Sequence, residues 1–200
     1  MGAAEKIASD GKTGGISPRL RILAAASDLF YRHGIRAVGV EAIAEAAQTN
    51  KMTLYRHFPS KDELVAEYLR GKGENVKATW AQLEADYPDP GARLRAWLER
   101  MANVVASGDL RGCPLANAGV ELPETDHPAR RVIEEFKTAQ RQHLVGLCAA
   151  AGLTEPDMLA DELFLLIEGA LVTGQCMGRQ GLADRLLRMS EAMIKAHTRD

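Results

Sequence analysis

Lys51, Thr53, Tyr55 and His57 alternate along one short stretch of chain, with Asn50 just ahead of them and Lys61 a little beyond. An ammonium, a hydroxyl, a phenol and an imidazole in this arrangement make hydrogen-bonding chemistry. Such groups can donate to phosphate oxygens and meet base edges. Covalent chemistry has a weaker claim. The chain contains no G-x-S-x-G elbow, no H-E-x-x-H and no glycine-rich phosphate loop. Cys113, Cys148 and Cys176 are odd in number and widely spaced, without the Cys/His spacing of a zinc site. A cysteine hydrolase would have to pair Cys113 with His127 or His143, and nothing in the sequence orders such a pair. No metal or cofactor is implied, and the expectation is a protein that is not an enzyme.

The polar stretch needs helices to hold it. Val40, Ile43, Ala44 and Ala47 recur at i, i+3, i+4 and i+7, one apolar helical face. Ala47-Gln48-Thr49 breaks the period, and Asn50 is a good N-cap for a second, shorter helix. Leu54 and Phe58 turn inward on that helix, leaving Lys51, Thr53, Tyr55 and His57 outward. Ser60-Lys61-Asp62-Glu63 reads as a capping box opening a further helix, whose free N–H groups would seat a phosphate beside Lys61; a merely solvated Lys61 is the alternative. Upstream, Ser17-Pro18 is an N-cap followed by a first-turn proline. Ile22, Leu23, Ala26, Leu29 and Phe30 then form a stripe that ends near Gly34. Arg19 and Arg21 could meet backbone phosphates or simply be solvated. An ordinary αα-hairpin has the same periodicity; the flanking residues are what favour a helix-turn-helix.

The block Thr53-Leu54-Tyr55-Arg56-His57-Phe58-Pro59-Ser60-Lys61-Asp62-Glu63-Leu64 closely resembles the DNA-binding domain of the TetR family of transcriptional regulators. The resemblance implies an all-α fold of about nine helices. An N-terminal three-helix helix-turn-helix domain would be followed by a C-terminal helical ligand-binding and dimerisation domain. It also implies a homodimeric repressor that leaves a palindromic double-stranded DNA operator when a small-molecule effector binds. Carried over by position, the DNA contacts are Gly39, Thr49, Asn50, Lys51, Thr53, Tyr55, His57 and Lys61. Three positions depart from the family pattern. Val38 and Gly39 stand where paired threonines start the second helix, Gln48 replaces the turn glycine, and Met52 replaces a small residue.

The net charge of −2 suits a DNA binder only when divided by segment. Residues 17–72 hold nine Lys or Arg against six Asp or Glu, a balance of +3, whereas residues 73–200 hold fourteen against nineteen, a balance of −5. The expected organisation is a flexible arm over 1–16, the DNA-binding domain over 17–72 and the ligand-binding and dimerisation domain over 73–200. The first sixteen residues lack the apolar core of a signal peptide, and the densest apolar run, Leu163 to Gly174, is interrupted by Glu168 and too short for a bilayer. A reduced, cytoplasmic protein without membrane contact is expected.

Further helices are expected to about Ala85, from Asp89-Pro90, from Cys113-Pro114, from Asp126-His127-Pro128, over 155–178 and over 182–197, with a loop at 108–114. Gly71 and Gly73 should loosen the first of these. A pocket among the helices of 76–147 would be lined by Trp80, Trp97, Met101, Cys113, Asn117, Phe136, Gln140 and His143, each of which could equally be core. The family plan pairs the last two helices with a twin subunit. This marks Phe164, Ile167, Leu171, Gln175, Leu186, Met189 and Met193, with Gly169, Ala170 and Gly174 permitting close approach. Glu168 would face solvent, pair across the dimer or counter a cationic ligand. Cys113, near Arg111, leaves open a thiol-switched regulator.

Overall fold

The computed structural model describes residues 16–107 and 111–198. The expected arm, apart from Ile16, and positions 108–110 of the expected loop lie outside the described residues. Among these, nine helices and no strand are present: α1 Pro18–His33, α2 Val40–Ala46, α3 Lys51–His57, α4 Lys61–Asp86, α5 Pro90–Ala106, α6 Pro114–Glu121, α7 Pro128–Ala150, α8 Pro156–Met177 and α9 Leu182–Ala196. No described helix is long and apolar enough to cross a membrane.

Local chemistry places the helix starts. Ser17, Asn50, Ser60 and Asp89 each accept a hydrogen bond from a backbone N–H three residues on, and α1, α5, α6, α7 and α8 all carry proline in the first turn. Of the capping box, the Ser60 half is formed. Within the expected capping segment Asp126-His127-Pro128, His127 is the cap of α7: its Nδ1 accepts from Ala129 N at 3.1 Å.

Two apolar cores form. The first joins α1 to α3 and the start of α4 with Leu115, Ala118 and Leu122 from α6 and its end, and Ala129 and Val132 from α7. The second gathers the later half of α4 with α5, α7, α8 and α9 around Leu94, Leu144, Leu159, Leu163 and Leu186. The long helix α4 runs from one core to the other. Phe136 packs against the first core, and its ring lies so close to Gly73 that a Cβ there would fall 2.3 Å from it. The expectation that Gly71 and Gly73 merely loosen α4 therefore needs correction at Gly73. Its missing side chain makes room for Phe136, whereas Gly71 meets nothing.

One polar expectation also changes, that for Glu168. Glu168 pairs within the subunit, 2.6 Å from Lys137 Nζ, which in turn lies 3.4 Å from Cys113 Sγ. A lysine one helix away supplies the compensation that a carboxylate among apolar neighbours needs. Cys148 is fully buried, and burial pushes its thiol up to about 11, as befits a small core residue.

Candidate nucleic-acid interface

The helix-turn-helix is built from α2, a tight turn and α3. At the end of α2, Thr49 N donates to Ala44 O and Gln48 N to Glu45 O, both at 2.9 Å. These two bonds define a Schellman turn, whose C′ residue must take the left-handed conformation. Gln48 does so, with φ of 51°. The same motif closes α7, where Gly152 holds that position at φ 74°. Arg21 is engaged within the fold: its Nε donates to Ala47 O at 3.1 Å, and a second nitrogen reaches Ile16 O. Arg19 is likewise engaged, 2.8 Å from Glu67 and 5.0 Å above the Phe58 ring. α2 starts at Gly39 without a side-chain cap, the consequence of lacking a hydroxyl there.

On α3, Leu54 is fully buried and Phe58 nearly so, and these anchors turn the other side of the helix outward. Lys51, Met52, Tyr55 and Arg56 are exposed, Thr53 and His57 half-buried, and Asn50 and Gly39 exposed. Asn50 spends its side chain on the Thr53 N–H at 2.9 Å, and Thr49, in the turn, is half-buried. Lys51 lies 2.6 Å from Glu41, which holds the Glu41 carboxyl below the usual carboxylate range and raises the Lys51 ammonium. Arg56 has no ion-pair partner among the described residues. Sequence reasoning passed over it, although its position beside Tyr55 on a helix anchored at Leu54 and Phe58 was sufficient signal. Lys61, at the start of α4, is half-buried, and burial lowers its affinity for a proton. It borders a groove with Arg36, Asp62 and His127, to whose lining α3 contributes no residue.

α6 is fastened to this module. The Glu121 carboxylate accepts from Ile35 N at 2.6 Å and Arg36 N at 3.2 Å, while Arg36 Nε donates to Glu121 O at 2.6 Å. Tyr31 OH accepts from Arg111 N at 2.8 Å and donates to Gly112 O at 3.3 Å. The turn after α1 is thus gripped by residues about 80 positions later in the chain.

The structure splits the residues expected to line a pocket. A half-open cleft of about 270 Å³ lies between α4 and α7, lined by Trp80, Phe136, Gln140 and His143 together with Gly73, Val76, Lys77, Ala81, Glu84 and Ala139. Trp97 stacks on Trp80 at 5.1 Å and so backs the cleft, whereas Met101 packs against the second core. Cys113 and Asn117 belong elsewhere, at the start of α6 beside Lys137 and Arg111. His127 meets Asp62, and His143 meets Trp80, so Cys113 has a lysine and not a histidine beside it.

The residues marked for a twin subunit divide too. Ile167 and Leu186 are buried in the subunit's own core and present nothing outward. Phe164, Leu171 and Met193 are partly buried against that core, whereas Gln175 and Met189 are exposed. Met158, Leu165 and Val172, which were not singled out, are exposed by 56%, 70% and 56% and recur every seventh residue along α8. That seven-residue spacing was visible in the sequence and places the three side chains along one exposed face of α8.

A short helix held by two buried apolar anchors, with cations and a phenol outward and a tight turn before it, defines a helix-turn-helix DNA-binding protein. The sequence profile of bacterial regulatory proteins of the tetR family matches residues 22–68. The HTH-type transcriptional repressor KstR2 of Mycobacterium tuberculosis (strain CDC 1551 / Oshkosh) is 35% identical over 182 residues, covering 84% of this chain and 90% of its own. The HTH-type transcriptional regulator YjdC of Escherichia coli (strain K12) is 23% identical over 175 residues, 87% of this chain and 92% of its own. Among solved structures, SCO4454, a TetR-family transcriptional regulator from Streptomyces coelicolor, superposes with a TM-score of 0.86 at 27% identity, covering 91% of this chain and 96% of its own. A putative TetR-type regulator of Streptomyces avermitilis, sav143, gives 0.80 at 31% identity, over 91% and 98%. The chain belongs to the TetR family of transcriptional regulators, and it is a DNA-binding protein of that kind.

Proposed function

We propose that the chain is a homodimeric repressor whose two α3 helices read the half-sites of a palindromic operator. A small molecule entering the α4/α7 cleft then favours a spacing of the two readers that no longer fits. In this reading residues 17–72 are the reader and residues 73–200 bind the effector and the twin subunit, through Met158, Leu165, Val172 and Met189. It would act in the cytoplasm, where bacterial DNA lies. Lys51, Tyr55 and Arg56 contact DNA directly, with Thr53 and His57 at the edge of that face and Gly39, Thr49, Asn50 and Lys61 flanking it.

The observation that carries the effector half is Phe136, which lines the cleft and also packs on the reader core against Gly73. A ligand can shift the two shapes only by its differential affinity for them, and a side chain shared by cleft and reader core supplies such a difference. The test is selection of binding sites from random double-stranded DNA at about 0.15 M salt. A recovered palindrome is expected. Replacing Lys51 and Tyr55 together by Ala should abolish its binding and leave the dimer intact; retained binding would remove α3 as the reader.

One observation favours a second reading: Lys137 Nζ donates to Cys113 Sγ at 3.4 Å, at the N-cap of α6. A thiol-switched regulator would use this cysteine. A hydroperoxide would oxidise the sulfur to the sulfenic acid and itself be reduced to the alcohol. DNA release by cumene hydroperoxide that is lost in Cys113→Ser would support it, and release unchanged by that substitution would end it.

A further inference from the structure

Leu54, fully buried, fixes the inward direction of α3. At about 100° per residue, Met52 and Arg56 each stand about 160° away from it, one on either side and one helical turn apart. They form the crest of the helix. Lys51 and Tyr55 lie on one flank, and the half-buried Thr53 and His57 lie on the other. Met52 occupies the N-terminal end of the crest, the end of a recognition helix that meets base edges. Its side chain is 76% exposed, more than any other large apolar side chain among the described residues of 17–72, and it joins neither core. Neither packing nor helix propensity, in which alanine is at least as good, asks for a methionine here.

The polar groups beside it are engaged within the fold. Asn50 Oδ1 accepts from Thr53 N at 2.9 Å, and Lys51 lies 2.6 Å from Glu41. Met52 has no proton to donate to a phosphate or to a purine edge. The apolar group that a major groove offers is the C5-methyl of thymine. An unbranched, polarisable thioether with three rotatable bonds can follow such a methyl. The cations Lys51 and Arg56, on either side of Met52 in the chain, make an anionic duplex the fitting surface for this crest.

We propose that Met52 determines specificity in the reader, packing on the C5-methyl of one thymine in each operator half-site. This rests on α3 being the reader, as proposed above. The site recovered by selection is resynthesised with uracil at each thymine in turn, placed symmetrically in the two half-sites. Uracil pairs as thymine does and lacks only the methyl. At one thymine per half-site, affinity for the full-length wild type should fall about fourfold per half-site, the effect of one buried methyl group. In Met52→Ala that loss should vanish, while the thermal midpoint and the salt dependence of binding stay as in the wild type. Met52→Gln keeps the length and helix propensity of the side chain and changes its tip. It should behave as Met52→Ala does, and it carries the comparison if the alanine variant is destabilised. A selected palindrome with no methyl-sensitive thymine overturns the proposal and leaves the repressor standing. Methyl penalties of equal size in the wild type and both variants do the same, since the effect then belongs to the duplex alone. Selection that recovers no sequence removes both readings.

Discussion

Arg21 Nε donates to the backbone carbonyl of Ala47 at 3.1 Å, so that the first helix holds the end of the second at the entrance to the turn. A cation at that point also faces the negative end of α2. Arg21→Ala should lower stability by about 1 kcal/mol, the net worth of one such hydrogen bond, and weaken DNA binding by loosening the turn. Urea denaturation and a DNA titration would check both; unchanged DNA affinity in a destabilised variant would separate Arg21 from reading.

Gln48 occupies at φ 51° a place that Gly152 fills in the matching turn of α7. A left-handed residue with a Cβ costs about 1–2 kcal/mol, part of which glycine returns as unfolded-state entropy. Gln48→Gly should therefore stabilise the protein by roughly 0.5–1 kcal/mol, visible as a higher denaturation midpoint at constant m-value. A lower midpoint would mean that the Gln48 side chain contributes more than its backbone costs.

Glu41 competes with phosphate for Lys51, which it holds at 2.6 Å. Glu41→Gln should raise operator affinity several-fold and steepen its salt dependence by about one unit of slope, as one more phosphate is neutralised. Arg56→Ala should reduce that slope by about one. A slope untouched by either change would place the phosphates elsewhere.

Gly73→Ala gains about 1 kcal/mol of helix propensity, yet its Cβ would meet the Phe136 ring at 2.3 Å. Overpacking should win, with a net loss of about 1–3 kcal/mol that Phe136→Leu partly restores. A thermodynamic cycle over the two sites measures the coupling; additive effects would mean that the ring moves aside freely.

Burial beside Trp80 depresses the His143 pKa from its ordinary value. The unfolded chain then takes up the proton first, so the contribution of His143 is intact above about pH 6.5 and is lost as pH falls from there through the folded pKa. Between pH 7 and 5 the wild type should lose more stability than His143→Gln. Parallel curves would show that the imidazole is solvated in both states.

Local signals made the helices legible. Ser17, Asn50, Ser60 and Asp89 cap where short polar residues precede apolar periods, and the first-turn prolines mark the remaining starts. Long-range polar pairings were not legible, because nothing periodic announces them. Glu121 could not be assigned to the backbone of Ile35 from sequence, nor Glu168 to Lys137, nor Arg21 to Ala47. The cleft was half legible for a related reason. Trp80, Phe136, Gln140 and His143 share a helical period with their neighbours, but which side of a period faces empty space is decided by the neighbouring helix. Ile167 and Leu186 show the converse, since an apolar stripe alone does not distinguish the inside of one subunit from the surface between two.

The unbroken run of α4 has a geometric consequence. Gly73 lies 12 residues from Lys61 at the helix start, a span of roughly 18 Å at 1.5 Å per residue. A rigid rod pivoting at Gly73 through about 10° would carry its far end by roughly 3 Å. One base step along the duplex is about 3.4 Å. In the proposed reading, displacing the phenyl ring from its seat on Gly73 would need to swing one helix by only that much for the reader to slip by the smallest interval at which a double helix can be misread.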